Sequence, residues 1–310
     1  MKKRVTHIDF ARAIGIILIL SSHIVCMPTF TKSSSLNLMW NILGSFYVPF
    51  FFILSGIFIS PYKKSTNNIN LISYNITKTK GILNLLFLFT TFLTLQIILF
   101  YIIKHKINFS LGPLWFLIVL ILNKLIFNII LKFSFTNQIF IIIIMGLIGY
   151  YIGFYGHNYF YLGATATCMP FYAIGYYLKN IILLKDFNIK RCILFFCIWL
   201  LGFIRFYEPQ NLSINSVSQN PISFYLTAIS GSFCLIEICK ITQIKPLLTY
   251  GKYSIVPMCT HWSILMIIQL YIIPANWNEW LIVFVITFVT SYLSIYLFVN
   301  KQWNLISFYK

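Results

Sequence analysis

Three ionisable side chains interrupt the apolar run IDFARAIGIILILSSHIVCM, residues 8–27: Asp9, Arg12 and His23. An ionisable group in a membrane-length apolar segment costs about 3 kcal/mol unless it is paired or hydrated, so each is a candidate for chemistry. Arg12 and His23 are eleven residues apart, and at about 100° per residue that is close to three full helical turns. Asp9 and His23 are fourteen apart, about 40° short of four turns. On one helix the three form a stripe, with Arg12 and His23 about 16 Å apart along the axis. Such a stripe should face a bundle interior and line a polar path. Histidine is the side chain best suited to take and return a proton near neutral pH. A second reading is also open, in which Asp9 and Arg12 form an ion pair at the helix mouth and His23 sits at the outer interface.

A second intramembrane histidine, His261, stands in Thr260-His261-Trp262, downstream of Tyr250-Gly251-Lys252-Tyr253-Ser254. It reads either as a hydrogen-bonded structural residue or, with Ser254, as a ligand contact. Glu237 and Lys240 are three apart, the spacing of a helical salt bridge. Arg205 and Glu208 resemble an outer-interface pair, and Lys124 can snorkel inward. The seven cysteines (Cys26, Cys168, Cys192, Cys197, Cys234, Cys239 and Cys259) include no CxxC pair, so neither a disulfide framework nor a zinc site is suggested. They read as small apolar side chains, and no metal centre is expected.

These residues must be positioned by membrane helices. The 310 residues are 59% hydrophobic and 9% charged, against about 25% charged in soluble domains. A net charge of +18 invites a nucleic-acid partner. The cations, however, sit in short loops between apolar runs, where they set membrane orientation, so no nucleic acid is expected. A span needs about 20 apolar residues. Such runs lie near 8–27, 38–60, 81–103, 113–131, 139–156, 160–178, 192–207, 222–239, 253–273 and 279–299. The expected architecture is all-α and integral to a lipid bilayer, with about ten transmembrane helices in one membrane domain, 1–310.

With the N-terminus inside, seventeen of the basic residues fall on the inner side, including Lys2, Lys3, Arg4, Lys63, Lys64, Lys78 and Lys80. Four fall outside (Lys32, Lys104, Lys106 and Arg205), and Arg12 and Lys124 lie within spans. This separation predicts both termini in the cytoplasm. The basic start has no A-x-A cleavage site after its apolar run and reads as a retained first helix. The stretches Lys63–Asn75 and Pro209–Pro221 read as the two longest loops.

Five segments, in order, resemble the integral-membrane acyltransferase type 3 family. Ile8-Asp9-Phe10-Ala11-Arg12, with its Arg12-x10-His23 spacing, resembles that family's opening helix. Val48-Pro49-Phe50-Phe51-Phe52-Ile53-Leu54-Ser55-Gly56 is similar to its second. Pro113-Leu114-Trp115-Phe116-Leu117 resembles its Leu-Trp-Phe-Leu segment, and Pro170-Phe171-Tyr172-Ala173-Ile174-Gly175-Tyr176 a later Gly-ended span. Gly251-Lys252-Tyr253-Ser254 through His261 resembles its Gly-x-x-Ser…His segment. Members commonly carry an Arg-x-x-Arg pair at the entry to the third helix. Here Lys78-Thr79-Lys80 keeps the charge without arginine's bidentate geometry.

The resemblance implies an O-acyltransferase, usually an O-acetyltransferase. It would move an acetyl group from cytoplasmic acetyl-coenzyme A, a donor substrate with no permanently bound cofactor, to a hydroxyl of a glycan acceptor. That acceptor is a cell-surface or lipid-linked glycan such as O-antigen, capsule or exopolysaccharide. It also implies a bacterial inner (cell) membrane. In the catalytic roles, His23 is expected to be the general base, with Arg12 and Asp9 at the donor entrance. Lys78 and Lys80 are expected to meet the donor's phosphates, and Trp115, Ser254 and His261 the sugar. Larger relatives append a soluble hydrolase-like domain. With Lys310 directly after the last span, transfer is expected to finish in the membrane domain or to pass the acyl group to a partner. A transporter or flippase for a lipid-linked sugar would also suit an Asp/Arg/His stripe.

Overall fold

A computed structural model of the chain describes residues 5–25, 34–59, 68–105, 111–156, 159–206, 210–217, 220–272, 274 and 276–300. The side chains at 34, 68–80, 104, 206 and 298–300 are outside that description. Lys2, Lys3, Arg4, Cys26, Lys32, Lys63, Lys64, Lys106, Glu208, Lys301 and Lys310 therefore lie outside the described residues, as do the side chains of Lys78, Lys80 and Lys104.

The described residues form α-helices joined by short connections. In order they are α1 (Thr6–Val25), α2 (Ser34–Gly44), α3 (Tyr47–Gly56), α4 (Asn68–Lys104), α5 (Trp115–Ile130), α6 (Phe135–Phe154) and α7 (Leu162–Tyr177). There follow α8 (Lys179–Ile182), α9 (Ile189–Phe206), α10 (Pro221–Ile241), α11 (Lys245–Lys252), α12 (Ile255–Ile268) and α13 (Trp277–Asn300). The described residues contain no strand, only an isolated antiparallel bridge between Asn211 and Ser216. All backbone pairing inside one segment is what a lipid environment demands, because it offers no water to satisfy a stray N–H or C=O.

Among the described residues seven stretches are long and apolar enough to cross a membrane. They are Thr6–Val25, Ser35–Gly56, Gly81–Ile103, Gly112–Ile130, Phe135–Phe154, Pro221–Ile241 and Trp277–Leu297. Helices also stand in the three other stretches where the sequence predicts spans. Of these, α7 has 16 residues and α12 has 14, while α9 carries Lys190, Arg191 and Arg205. The predicted span 38–60 divides into α2 and α3 at Ser45–Phe46, where Ser45 Oγ donates to the Ile42 carbonyl at 2.7 Å. The predicted loop at 63–75 is partly helical, because α4 already begins at Asn68. With 37 residues α4 is about 55 Å long. That exceeds a hydrocarbon core of about 30 Å, so its polar first turns extend past it.

The bundle is organised around α1. Fifteen of its twenty residues are buried, and it packs against α2, α3, α10, α11, α12 and α13. Its closest neighbour is α11, where a Cβ on Gly251 would collide with the Asp9 carbonyl, so only glycine allows this approach. Pairs α6–α7, α9–α10, α3–α7 and α12–α13 build the rest. The start of α10 is fixed by Asn220, whose side-chain oxygen accepts from Ile222 N at 3.0 Å and Ser223 N at 3.1 Å, with Pro221 following.

Candidate active site

His23, in the last turn of α1, lines a cavity of about 560 Å³. That volume is within the range of small-molecule sites. Aromatic side chains from five parts of the chain form much of the wall: Trp40, Tyr47, Trp115, Tyr161 and Trp262. Trp115 and Tyr161 stack at 6.4 Å and 17°. Tyr161 is held with φ +61, a backbone conformation that a bulky side chain adopts only when its surroundings impose it. Gly112 has φ +46, and a Cβ there would stand 2.9 Å from the Trp262 ring, so glycine is required at this corner. The remaining wall is the segment Gln210 to Ile214.

His261 sits behind His23. The two rings are 5.2 Å apart, and the Trp262 ring meets His23 edge-on at 5.5 Å. His261 Nδ1 is 2.9 Å from the Pro257 carbonyl. A carbonyl only accepts, so Nδ1 carries the hydrogen and, in the neutral ring, Nε2 presents a lone pair. That Nε2 is buried and has no hydrogen-bond partner.

Arg12 lies elsewhere. It lines a separate, smaller chamber of about 40 Å³ with Lys252, Ser254, Ser55 and Ile255. Its guanidinium is 4.0 Å from the Asp9 carboxylate and stands over the Phe58 ring at 4.4 Å. Asp9 lines neither space. Phe51, Phe116 and Met258 line both chambers and so form the wall between them.

The structure thus divides the residues singled out in the sequence. His23 and Trp115 share the large cavity, Arg12 and Ser254 share the small chamber, and His261 lines neither. Lys78 and Lys80 are placed as backbone in α4 only. Next to them, Lys124 Nζ is 2.7 Å from the position of a Cβ on Gly81, so this snorkelling lysine reaches the same end of α4. Sequence reasoning did not single out Gln210, Tyr161, Trp262 or Lys252 for the site. Lys252 and Trp262 flank motif residues and so had a local signal, whereas Gln210 had none beyond its place in a loop.

Other charged groups serve structure. Glu237 accepts from Lys240 at 2.8 Å and meets Arg191 at 3.5 Å, all at the α9–α10 contact. His7 Nε2 lies 3.0 Å from the Ile182 carbonyl, which ties α1 to the short α8. Cys168, Cys234, Cys239 and Cys259 are buried free thiols. Among the described residues no three of His, Cys, Asp and Glu come together to hold a metal ion.

Neither a curated protein nor a solved structure matches the chain. The model of one family, an acyltransferase domain, matches residues 5–299. The match includes every helix that builds the two chambers. This multi-pass membrane protein belongs to the acyltransferase type 3 family.

Proposed function

We propose that the chain is an O-acetyltransferase of a bacterial cell membrane, moving the acetyl group of cytoplasmic acetyl-coenzyme A onto a hydroxyl of a cell-surface or lipid-linked glycan. The observation that carries this reading is the pair of adjoining chambers, one with Arg12 and Lys252 and the other with His23, separated only by Phe51, Phe116 and Met258. The coenzyme's phosphates need cations, and Arg12, Lys252 and the Lys78–Lys80 end of α4 supply them on one side. The thioester at the tip of the pantetheine arm then reaches the dividing wall. The acceptor occupies the large cavity.

In the transfer, His23 takes the proton of the acceptor hydroxyl as its oxygen attacks the thioester carbonyl carbon. The new C–O bond forms and the C–S bond breaks. The leaving thiolate takes the proton back from His23 and departs as coenzyme thiol. The arrangement of about ten membrane spans with both termini in the cytoplasm belongs to this proposal, because it puts the Arg12 end of α1 on the donor's side.

The test compares surface glycan from cells with the intact gene, without it, and with His23→Ala at equal protein level, by mass spectrometry. The expected result is one acetyl increment on the glycan with the intact gene alone. An unchanged increment in His23→Ala removes the general base. Loss of the glycan itself on deletion, without a change in its mass, points to export instead.

A further inference from the structure

Among the described residues that line the large cavity, one buried side-chain polar atom has no hydrogen-bond partner. Gln210 is 8% exposed, lines the cavity, and its Oε1 has no hydrogen-bond partner. A buried carbonyl oxygen without a donor is costly, and natural folds keep one where a ligand or a water supplies the hydrogen. The neighbouring amide oxygen is already engaged. Asn211 Oδ1 already accepts from Ser213 N at 3.1 Å and Ser213 Oγ at 2.6 Å.

The loop that carries Gln210 is itself held in place. Asn211 and Ser216 exchange backbone hydrogen bonds at 3.0 and 2.9 Å. Asn215 accepts from Thr167 Oγ1 at 2.9 Å and donates from Nδ2 to the Gly149 carbonyl at 3.0 Å. Gln210 is therefore tied to the α6–α7 pair at one edge of the cavity.

The rest of the lining states what kind of ligand fits. Among the described residues it consists of aromatic, aliphatic, amide and hydroxyl side chains with His23, whereas Arg12 and Lys252 stand across the Phe51–Phe116–Met258 wall. A carboxylate or phosphate in the cavity would be desolvated against a bare carbonyl oxygen and the negative faces of aromatic rings, with no lysine or arginine among the described lining residues to meet it. An uncharged sugar ring meets the same surface well. Its C–H face lies on an aromatic ring, and its hydroxyls donate.

Resting on the reading of this cavity as the acceptor site, we propose that Gln210 Oε1 accepts a hydrogen bond from an acceptor hydroxyl, and that the acceptor ring bound here is an uncharged sugar rather than a uronic acid or a sugar phosphate.

The experiment uses the full chain in lipid nanodiscs, with tryptophan fluorescence as the readout, since Trp40, Trp115 and Trp262 line the cavity. Methyl glucoside and methyl glucuronide are titrated against the natural chain and against Gln210→Leu. The expected result is saturable binding of the glucoside and at least tenfold weaker binding of the glucuronide. Gln210→Leu should weaken the glucoside by about five- to tenfold, as loss of one hydrogen bond does. Equal binding of the two sugars by the natural chain, which needs no variant, overturns the proposal, as does no binding of either. Unchanged glucoside binding by a folded Gln210→Leu removes Gln210. Acetyl transfer from acetyl-coenzyme A is measured on the same samples. Gln210-dependent glucoside binding without any transfer keeps this inference and defeats the acyltransferase mechanism. Transfer to a glucuronide as fast as to a glucoside does the reverse.

Discussion

The cavity beside His23 and the chamber beside Arg12 meet at three shared side chains, yet they are built on opposite principles. The first holds about 560 Å³ and is lined by rings and amides. The second holds about 40 Å³ and contains two cations. Both reach α1, α3, α5 and α12, so the same four helices border a space with Arg12 and Lys252 and a space without lysine or arginine among its described lining residues. The α1 stripe explains how. Three turns of one helix carry Arg12 to one space and His23 to the other, so a single rigid element fixes both with respect to each other. The difference teaches that charge has been sorted along the path. In the proposed reaction an anionic carrier would be met where the cations are, and the reacting proton handled at His23.

The strongest way to break this comparison is to remove the base from the uncharged end. His23→Gln keeps a polar side chain but cannot carry the proton. Transfer should fall by about 10²- to 10⁴-fold, with donor affinity unchanged. Single-turnover kinetics alongside acetyl-coenzyme A binding checks this, and a fall in donor affinity instead would assign His23 to the wrong chamber.

The dividing wall comes next. Met258→Trp thickens the wall between the chambers with a rigid ring. If the thioester must cross that wall, the turnover number should drop about 10²-fold, the cost of misplacing a reacting group by about an ångström. Each substrate should still bind. A companion Met258→Leu of similar volume should behave as the natural chain does, which separates blockage from misfolding.

The smallest effect belongs to the cationic end. Lys252 stands on the chamber wall and over the Tyr253 ring at 4.7 Å. Lys252→Ala should raise the donor KM about tenfold, the worth of one charge-assisted hydrogen bond, and leave the turnover number nearly unchanged. Equal donor KM values would remove Lys252 from donor binding and sharpen the case for Lys78 and Lys80.

A second contrast bears on what could be read from the residues. The stretch Gly81–Ile103 in α4 is more hydrophobic than α1, at a mean hydropathy of 2.3 against 1.8, yet 11% of it is buried against 78% of α1. Lipid and protein interior are equally apolar solvents for a leucine, so hydropathy finds a span without saying what surrounds it. The Asp9, Arg12 and His23 stripe did identify α1 as an inward-facing helix, because an ionisable group cannot face lipid cheaply. The salt bridge of Glu237 with Lys240 was legible for a similar reason, as a fixed helical spacing. Ser254 and His261, close in one sequence motif, stand apart in the structure. Ser254 opens α12 beside Arg12, while His261 lies two turns further along, behind His23.

The sequence by itself determined that the chain is helical and membrane-embedded, and it marked α1 as the helix whose ionisable residues face the bundle interior. These follow from local rules, since each span must satisfy its own backbone and each buried charge must be accounted for within a few turns. Tertiary structure alone decided that Arg12 and His23 open into different chambers, that Phe51, Phe116 and Met258 part them, and that Gln210 joins the site. Gln210 gets there because Asn215 reaches Gly149 and Thr167, 66 and 48 residues away in the chain. A contact of that range depends on how α6 and α7 pack, and no spacing within the loop encodes it.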